Sequence, residues 1–456
     1  MAATTAAGSI QRGRLADFLD SQNEAFVADL KAGKGAGWHL VTGNEAGDLD
    51  TISSSVAFAF LASTLNGTRT VPLVLTPFKN MGLRPENELA LKNAYIPAGT
   101  LLHPEGLPVS TDKLAPAGVR FDLVDHNRLL PVFGNYPNTV DAIIDHHEDE
   151  GVHPQATSRL IKTPTGSCSS LVTKFFMPQW KASLSGGAGA AGSPVPPELA
   201  TLLLSSILID TQGLKKGGKA MDVDYESASF LYPLSTLATA DPGIVTLSAT
   251  GGDDVPAPLS NYSEELVAVK YDVTGMSTDD LLLRDYKQYE WTTNSSAIPK
   301  LDVGLSTVPL SMAKQLKAEP EGWKSYMANV DKFMAERGID IEGVLTTFKS
   351  ETKHKGRREL LLVVRPGLNI NNNANASSIL HKLGSGLLAQ HDLFALEDWG
   401  TGKGVDTPKG ELAAQAGEYL DSLSSGRVAK IWNQGNHHAT RKQVAPAMHD
   451  IVSGMN

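Results

Sequence analysis

The sequence contains little cysteine, few aromatic residues and no long apolar run. The single cysteine, Cys168, cannot form a disulfide within the chain, which favours a reducing compartment and a fold stabilised by core burial alone. Aromatic residues make up 6% of the 456 residues, and the longest apolar stretch, residues 202–209, is interrupted by Ser205 and Ser206. That stretch is far shorter than the roughly 20 residues that span a bilayer. We therefore predict a soluble globular protein that does not enter a membrane.

Positive charge is also scarce. The chain has 40 Lys and Arg against 50 Asp and Glu, a net charge of −10. Residues 1–283 carry a net charge of −12, whereas residues 284–456 carry +2. Because this overall field repels polyanions, we expect no nucleic-acid partner. A phosphate-rich ligand would need bound metals in the acidic part or basic clusters in the other.

The amino-terminal residues 1–14 are small, polar and weakly basic, without the apolar segment of a secretory signal. We interpret them as the frayed terminus of a cytoplasmic protein. A mitochondrial transit peptide is the alternative interpretation.

Short apolar runs alternate with helical segments in the first part of the chain, which is typical of an α/β fold. Predicted strands lie at residues 38–42, 70–75, 121–124 and 142–144, and predicted helices at residues 52–65, 169–176 and 196–209. The strands are continuously apolar, which favours a parallel sheet covered on both faces. A second set of strands (306–308, 343–348 and 360–364) and helices (323–337, 377–388 and 411–423) indicates a smaller α/β domain.

Two segments are too poor in apolar residues to build a core. Residues 183–197 are almost entirely Gly, Ala, Ser and Pro, and we predict a flexible insertion there. Residues 241–260 are rich in Gly, Asp, Pro and Ser and precede the change in charge. We therefore predict a first domain over residues 1–245, a linker over 246–262 and a second domain over 263–456.

The first motif with chemical content follows the first predicted strand. Residues 42–53, TGNEAGDLDTIS, place Asn44, Asp48 and Asp50 between that strand and the next helix. Loops at the carboxyl ends of parallel strands bind ligands in α/β folds, and two carboxylates there repel each other unless a cation compensates them. The alternative is an acidic turn in which Asp50 or Thr51 caps the helix.

Further acidic residues, two of them followed by histidine, end three other apolar segments. They are Asp125 and His126 in VDHN, Asp145, His146 and His147 in IIDHHEDE, and Asp210 in ILIDTQGL. Each motif alone could be a solvated turn. Their joint occurrence indicates a site for two divalent ions with one bridging carboxylate, since carboxylate and imidazole are ligands for such ions. The predicted ligands are Asp48, Asp50, Asp125, His146 and Asp210.

The order of these motifs, DxD, DH(N), DHH and a later isolated Asp, resembles the signature of the DHH phosphoesterase superfamily. The second half is similar to the second domain shared by family II inorganic pyrophosphatases, fungal-type exopolyphosphatases and prune-like phosphodiesterases. The similar segments are LLLRDYKQYE (residues 281–290) and ATRKQVAP (residues 439–446). This resemblance implies a parallel-sheet DHH domain, a smaller α/β domain of the DHHA2 type, and an active site in the cleft between them.

The resemblance also implies a role for individual residues. One metal would be bound by Asp48 and Asp125, and the other by Asp50, Asp125, His146 and Asp210, with Asp125 bridging. His147 would face the substrate phosphate. Asn44 occupies the position of a metal-binding histidine in family II pyrophosphatases, whereas exopolyphosphatases resemble this chain in having asparagine. Because an amide oxygen is a weak ligand, we expect Mg²⁺ to suffice, with Mn²⁺ or Co²⁺ as alternatives.

Basic residues of the second half match the phosphate contacts of the same families. They are Lys287, Arg441 and Lys442. Lysine supplies a mobile point charge and arginine a fork for two phosphate oxygens. A further basic run, residues 353–358, includes Arg357 and Arg358 and could bind additional phosphates of a chain. His437 and His438 are equally consistent with phosphate contact and with a plain loop.

Taken together, the motifs predict a monomeric cytoplasmic exopolyphosphatase that releases terminal orthophosphate from inorganic polyphosphate. Its catalytic residues would be Asp125, His147 and Asn44. A family II pyrophosphatase and a prune-like phosphodiesterase use the same motifs and are the enzymatic alternatives. A catalytically silent polyphosphate-binding protein is the alternative from another class, although binding alone would not require so many mutually repelling carboxylates.

Overall fold

The computed structural model describes residues 12–185, 193–239, 245–250, 254–350, 355–400, 408–420 and 426–456. The chain divides into two units, Met1–Asp272 and Val273–Asn456. Most of the predicted frayed terminus and the centre of the predicted insertion, residues 186–192, lie outside the described residues.

The first unit contains one parallel sheet. Its strands, as far as the structure describes this unit, are β1 (His39–Thr42), β2 (Thr70–Leu73), β3 (Arg120–Val124), β4 (Val140–Asp145) and β5 (Ser158–Ile161). They lie in the order β2-β1-β3-β4-β5, and all neighbouring pairs are parallel. Strands β1 to β4 are buried at almost every position, which explains their continuous apolar sequence. The prediction of a parallel-sheet α/β domain is confirmed.

Helices cover both faces of this sheet. They are α1 (Arg14–Lys31), α2 (Leu49–Asn66), α3 (Pro85–Asn93), α4 (Cys168–Leu184), α5 (Pro197–Asp210), α6 (Asp222–Leu231) and α7 (Ala257–Tyr271). Helix α2 is buried at every position from residue 49 to residue 62 and packs against α4 and α5. This burial on all sides fits its nearly uniform apolar and small-residue sequence. Helix α2 follows β1 in the chain and α4 follows β5. These two helices therefore meet inside the first unit.

The boundary between the units falls later than the predicted linker. Residues 257–262 of that linker belong to α7, and Leu259 and Tyr262 are buried in the first core. Helix α7 packs against α3 and α5, so it is part of the first unit. The Gly- and Pro-rich residues before it signalled a break in regular structure, but the following helix has its own apolar face and returns to the first core.

The second unit contains a mixed sheet. Its described strands are β6 (Tyr286–Thr292), β7 (Lys300–Val308), β8 (Ile341–Thr346), β9 (Phe348–Lys349), β10 (Gly356–Val364), β11 (Leu396–Asp398) and β12 (Val428–Gln434). The order is β11-β12-β10-β8-β7-β6, with β9 paired to β10. Strands β7 and β8 are parallel, whereas the other pairs are antiparallel. The prediction of a second α/β domain is confirmed.

Apolar cores lie on both faces of this second sheet. Along β10, Leu360, Leu362 and Val364 belong to one core, and Leu361 and Val363 to the other. The covering helices are α8 (Thr278–Arg284), α9 (Met312–Ala318), α10 (Trp323–Arg337), α11 (Asn373–Ala389), α12 (His391–Phe394), α13 (Pro408–Leu420) and α14 (Arg441–Ser453). Alternate side chains of one strand thus enter different cores, which is why β10 reads as a continuous apolar run.

Among the described residues, no helix combines the length and the apolar character needed to cross a bilayer. The cytoplasmic location stays a prediction from the sequence.

Candidate functional site

The loop after β1 presents the first two acidic residues at the start of α2. Asp48 is the N-cap of this helix, and its Oδ1 accepts a hydrogen bond from the backbone N–H of Thr51 at 3.0 Å. The helix cap is therefore Asp48, whereas the acidic-turn interpretation placed it at Asp50 or Thr51. Gly47 has a φ of +57°, and a Cβ there would lie 1.8 Å from Oγ1 of Thr76. Only glycine fits this approach of the Asp48 loop to the segment after β2.

Asp50 is a buried carboxylate held by small polar groups. It accepts hydrogen bonds from Oγ of Ser167 (2.8 Å) and Ser206 (2.7 Å), and from the backbone N–H of Cys168 (2.6 Å) and Ser169 (2.9 Å). Burial raises the pKa of Asp50, and the negative charge of Asp125 adds to this shift. A cation beside these two carboxylates would relieve the repulsion.

Asp125 follows β3 and adopts a left-handed backbone conformation, with a φ of +59°. Its Oδ2 accepts hydrogen bonds from Oγ1 of Thr51 (2.6 Å) and from Nδ2 of Asn44 (2.7 Å). Its Oδ1 is buried and has no hydrogen-bond partner among the described residues. Strained conformations of non-glycine residues concentrate at functional sites, where the surrounding contacts maintain them. Here, the two donors fix the carboxylate so that Oδ1 faces the histidines.

His146 and His147 follow β4 and lie against Asp125. Nε2 of His146 lies 3.2 Å from Oδ1 of Asp125 and 3.8 Å from Oδ2 of Asp50. Nδ1 of His147 lies 2.8 Å from Oδ1 of Asp145 and 3.6 Å from Oδ1 of Asp125. Burial favours the neutral carboxyl of Asp125, but His146, His147 and the Thr51 hydroxyl outweigh it and lower the pKa of Asp125 well below its ordinary value.

These residues fit a divalent cation. Asp125, His146 and His147 each offer a ligand atom, and these atoms all lie within 4.8 Å of one another. The unpartnered Oδ1 of Asp125 supplies a buried oxygen lone pair at their centre. The carboxylate oxygen suits Mg²⁺ and Mn²⁺, whereas the imidazole nitrogens favour transition metals, so this set can hold a divalent ion of either kind.

Asp48 and Asp210 connect to this cluster through their charges. Asp210 is the last residue of α5 and is half-buried. Burial raises the pKa of Asp210 well above its ordinary value, and the charges of Asp50 and Asp48 contribute to the shift. Direct contacts thus join Asn44, Asp50, Asp125, His146 and His147. Charge interactions link the other two predicted ligands to Asp50.

Several residues of the site were not assigned a role in metal or substrate binding from the sequence. They are Thr51, Asp145, Asn127 and the Ser167–Ser169 segment. Asp145 is fully buried, and its Oδ2 accepts a hydrogen bond from Nδ2 of Asn127 at 2.6 Å. One available signal was the serine residues at the start of α4 and within α5. Hydroxyl groups in otherwise apolar segments need a buried polar partner. Asp50 is that partner for Ser167 and Ser206.

Comparison with protein-family models identifies both parts of the chain. The model described as "DHH family, N-terminal domain" matches residues 38–207, and the model described as "DHHA2 domain" matches residues 264–451. The chain is a DHH-family protein with a DHHA2 domain. The resemblance to the DHH phosphoesterase superfamily is thereby confirmed, and the acidic and histidine cluster of the first unit lies in the DHH domain.

Individual relatives of this DHH protein are distant. A protein of Schizosaccharomyces pombe named "Putative exopolyphosphatase" is 27% identical over 421 residues, which cover 91% of this chain and 90% of the relative. "Exopolyphosphatase PRUNE1" of Bos taurus and of Homo sapiens are each 27% identical over 258 residues, which cover 55% of this chain and 49% of the relative. This chain therefore matches about half the length of the two PRUNE1 proteins.

A solved structure shares the fold of the DHH protein. The crystal structure of a Methanococcus jannaschii protein titled "putative family II inorganic pyrophosphatase" has a TM-score of 0.51 and 19% sequence identity. The alignment covers 91% of this chain and 99% of that one. At this identity, the likeness establishes the fold alone.

The DHHA2 domain places one group of predicted phosphate ligands near the start of β6. Lys287 of β6 is opposite Leu305 of β7 in the strand register. The guanidinium of Arg441, the first residue of α14, donates to the backbone oxygens of Asp285 (2.6 Å) and Leu305 (3.2 Å) and to Oδ1 of Asp285 (2.7 Å). Lys442 is exposed beside it. Thus Arg441 already has carbonyl and carboxylate partners, while Lys287 and Lys442 extend the positive charge.

A second basic group lies at the start of β10. Nε of Arg358 donates to the backbone oxygen of His437 at 2.9 Å, and the rings of His437 and His438 lie 4.1 Å apart. Burial, followed by the charges of His438, Arg358 and Arg357, lowers the pKa of His437. Lys353 and His354 of the predicted basic run lie outside the described residues.

Proposed function

We propose that this DHH protein is an exopolyphosphatase that hydrolyses the terminal phosphoanhydride bond of inorganic polyphosphate. The observation that carries the proposal is the cluster of Asp125, His146 and His147 beside the buried Asp50. Polyphosphate is favoured as the substrate because the S. pombe relative, whose name refers to exopolyphosphatase activity, aligns over 91% of this chain. The asparagine at position 44 is a second support, since the pyrophosphatase resemblance predicts histidine there.

The proposed ligands of the two cations are those predicted from the motifs, namely Asp48, Asp50, Asp125, His146 and Asp210. Mg²⁺ is the favoured ion, because most of these ligands are oxygens. Divalent cations bound there would supply Lewis-acid charge and lower the pKa of water, so that hydroxide is accessible at neutral pH.

His147 is proposed to transfer a proton to the leaving group. Its Nδ1 contacts Oδ1 of Asp145 at 2.8 Å, so this nitrogen carries a proton and Nε2 is the other site of protonation. Burial favours the neutral carboxyl of Asp145, but the contact with His147 outweighs it and lowers the pKa of Asp145. The ionised Asp145 therefore stabilises an imidazolium. From Nε2, the imidazolium can donate its proton to the departing phosphate oxygen.

The basic residues are proposed to bind phosphate oxygens of the substrate. Lys287, Arg441 and Lys442 would stabilise negative charge on the terminal and leaving phosphates. Arg357 and Arg358 would contact phosphates further along the chain.

The decisive experiment measures phosphate release in Mg²⁺ from pyrophosphate, tripolyphosphate and long-chain polyphosphate. We expect turnover of tripolyphosphate and long chains to exceed that of pyrophosphate, with orthophosphate as the released product. Chelation of the metal should abolish activity. Asp125→Asn should lower the turnover number by a factor on the order of 10³ or more, because it removes the shared carboxylate.

The matched control is Asp149→Asn, the same substitution at an exposed residue that is paired with Arg159 outside the cluster. It should retain turnover close to that of the wild type. Pyrophosphate as the preferred substrate would favour the pyrophosphatase alternative. Polyphosphate binding without metal-dependent hydrolysis would favour the binding-protein alternative.

A further inference from the structure

A carboxylate outside the DHH motifs holds the segment that contacts both Asp50 and His146. Asp224 lies in the first turn of α6 and is fully buried. Its Oδ2 accepts hydrogen bonds from the backbone N–H of Gly166 (2.9 Å) and Met221 (2.7 Å). Its Oδ1 accepts from the hydroxyl of Ser170 (2.6 Å) and from the backbone N–H of Ser167 (3.3 Å). One side chain therefore ties the start of α6 to residues 165–170, which we call the bridging segment.

The bridging segment in turn contacts two predicted metal ligands. The backbone oxygen of Thr165 lies 3.1 Å from Nδ1 of His146. A carbonyl oxygen can only accept, so Nδ1 carries the proton and the lone pair of Nε2 is directed to the side of Asp125. The same segment donates Oγ of Ser167 and the N–H of Cys168 and Ser169 to Asp50. Asp224 and Asp50 thus share Ser167 as a partner, and Gly166, which donates to Asp224, adjoins the residue that contacts His146.

Close packing around Gly166 restricts the bridging segment further. A Cβ at Gly166 would lie 2.6 Å from Oδ2 of Asp224 and 2.6 Å from Cγ2 of Thr211. Thr211 immediately follows Asp210, a third predicted ligand, at the end of α5. Segments that bear Asp50, His146 and Asp210 therefore meet at the bridging segment, and Asp224 contacts it at Gly166, Ser167 and Ser170.

We propose that Asp224 is a positioning residue for metal binding, which holds the bridging segment so that Asp50 and His146 bind a divalent cation. The proposal rests on the metal-dependent function proposed above. Partners that orient metal ligands typically change metal affinity by about 10- to 100-fold when they are removed. An amide in place of the carboxylate would direct an NH₂ group at one pair of the N–H and O–H donors, and the segment would shift.

The test measures binding of Mn²⁺ alone, from the electron paramagnetic resonance signal of the free ion. Asp224→Asn should raise the dissociation constant by about tenfold or more. The matched control is Asp122→Asn, which changes a buried carboxylate of the same unit that contacts His39 at 3.2 Å instead of the bridging segment. Its dissociation constant should stay within about twofold of the wild-type value. Circular dichroism of each variant verifies that it is folded.

Two milder variants act on the same contacts. Ser170→Ala removes one donor to Asp224, and Gly166→Ala places a methyl group against it. Both should weaken Mn²⁺ binding, and each should add less than its separate effect when combined with Asp224→Asn. A folded Asp224→Asn variant that binds Mn²⁺ as the wild type does would overturn the proposal. If that variant does not fold, wild-type affinity in both milder variants would overturn it.

The outcome is distinct from that of the proposed function. If the wild-type protein binds Mn²⁺ but releases no phosphate from polyphosphate, the proposed substrate is wrong. The Mn²⁺ affinities of the variants would then still support or refute the role of Asp224. Wild-type protein that binds no Mn²⁺ would overturn this proposal as well.

Discussion

The side-chain amide of Asn44 donates to Asp125, both to Oδ2 at 2.7 Å and to the backbone oxygen at 3.0 Å. Its amide oxygen accepts the backbone N–H of Ala46 at 2.9 Å. The nitrogen therefore faces the carboxylate, whereas the sequence interpretation considered the oxygen as a weak metal ligand. In this arrangement, Asn44 orients Asp125.

Substitution of Asn44 by histidine should change the metal preference. Asn44→His introduces an imidazole nitrogen beside Asp125, and imidazole favours transition metals over Mg²⁺. We expect affinity for Mn²⁺ to rise relative to that for Mg²⁺ by roughly tenfold, as measured by calorimetric titration of each ion. Asn135→His, at an exposed position, should leave both affinities unchanged. Equal shifts for the two ions in Asn44→His would contradict this explanation.

Asp145 should be required for turnover more than for metal binding. In Asp145→Asn, the side chain can no longer accept from both Asn127 and the N–H groups of His146 and His147. We expect the turnover number to fall by about 10²- to 10⁴-fold, because His147 loses the carboxylate that sets its tautomer and stabilises its protonated form. Steady-state kinetics at saturating Mg²⁺ measures this effect. Turnover within twofold of the wild type would exclude the proposed role of His147.

Substitution of Gly47 by alanine should weaken metal binding, whereas the same substitution at Gly67 should not. Gly47 and Gly67 have φ values of +57° and +71°, so alanine at either position incurs a similar backbone cost, about 1 kcal/mol. Only at Gly47 would the new methyl group collide with Thr76, since nothing lies within 4 Å at Gly67. Gly47→Ala should therefore displace Asp48 and weaken Mg²⁺ binding by about tenfold.

Gly67→Ala is the control for this effect. It should lower the melting temperature slightly and leave Mg²⁺ affinity at the wild-type level. The same affinity in both variants would show that the Asp48 loop does not depend on the contact with Thr76.

Glu342 should make the stability of the second unit depend on pH. Glu342 lies in β8 and is fully buried. Burial raises the pKa of Glu342 from 4.5 to about 8, although Ser306 and two arginines oppose the shift. In the folded chain, the proton is retained up to about pH 8, whereas the unfolded chain releases it near pH 4.5. The free energy of unfolding therefore falls as pH rises through this interval.

Glu342→Gln removes this titration. At pH 9 the variant should be more stable than the wild type, on the order of 5 kcal/mol, and at pH 4 the difference should be small. Urea unfolding followed by tryptophan fluorescence measures both values. Glu359→Gln is the control, because this buried carboxylate accepts from the N–H of Met312 and Nε1 of Trp399. It should destabilise the chain at pH 4 as well as at pH 9.

The amino-acid sequence was sufficient to predict the layered α/β units and the residues at the ends of the strands. Continuous apolar runs such as residues 360–364 arise only where both faces of a strand are buried, so they indicate covered sheets without any knowledge of topology. The acidic and histidine residues were recognisable because each terminates such a run. Parallel pairing brings those that follow β1, β3 and β4 to the carboxyl edge of the first sheet, whereas Asp210 ends helix α5.

Tertiary structure decided the contacts that orient those residues. The hydrogen bond from Cys168 to Asp50 spans 118 residues, and the contact of Asp224 with Gly166 spans 58. No local pattern encodes such pairs, because a buried carboxylate can be satisfied by any donor that the fold brings within reach. The same reason explains why α7 returned to the first core and why the amide nitrogen of Asn44 faces Asp125. The residue types available to the site were readable from the chain, whereas their partners depended on packing between distant segments.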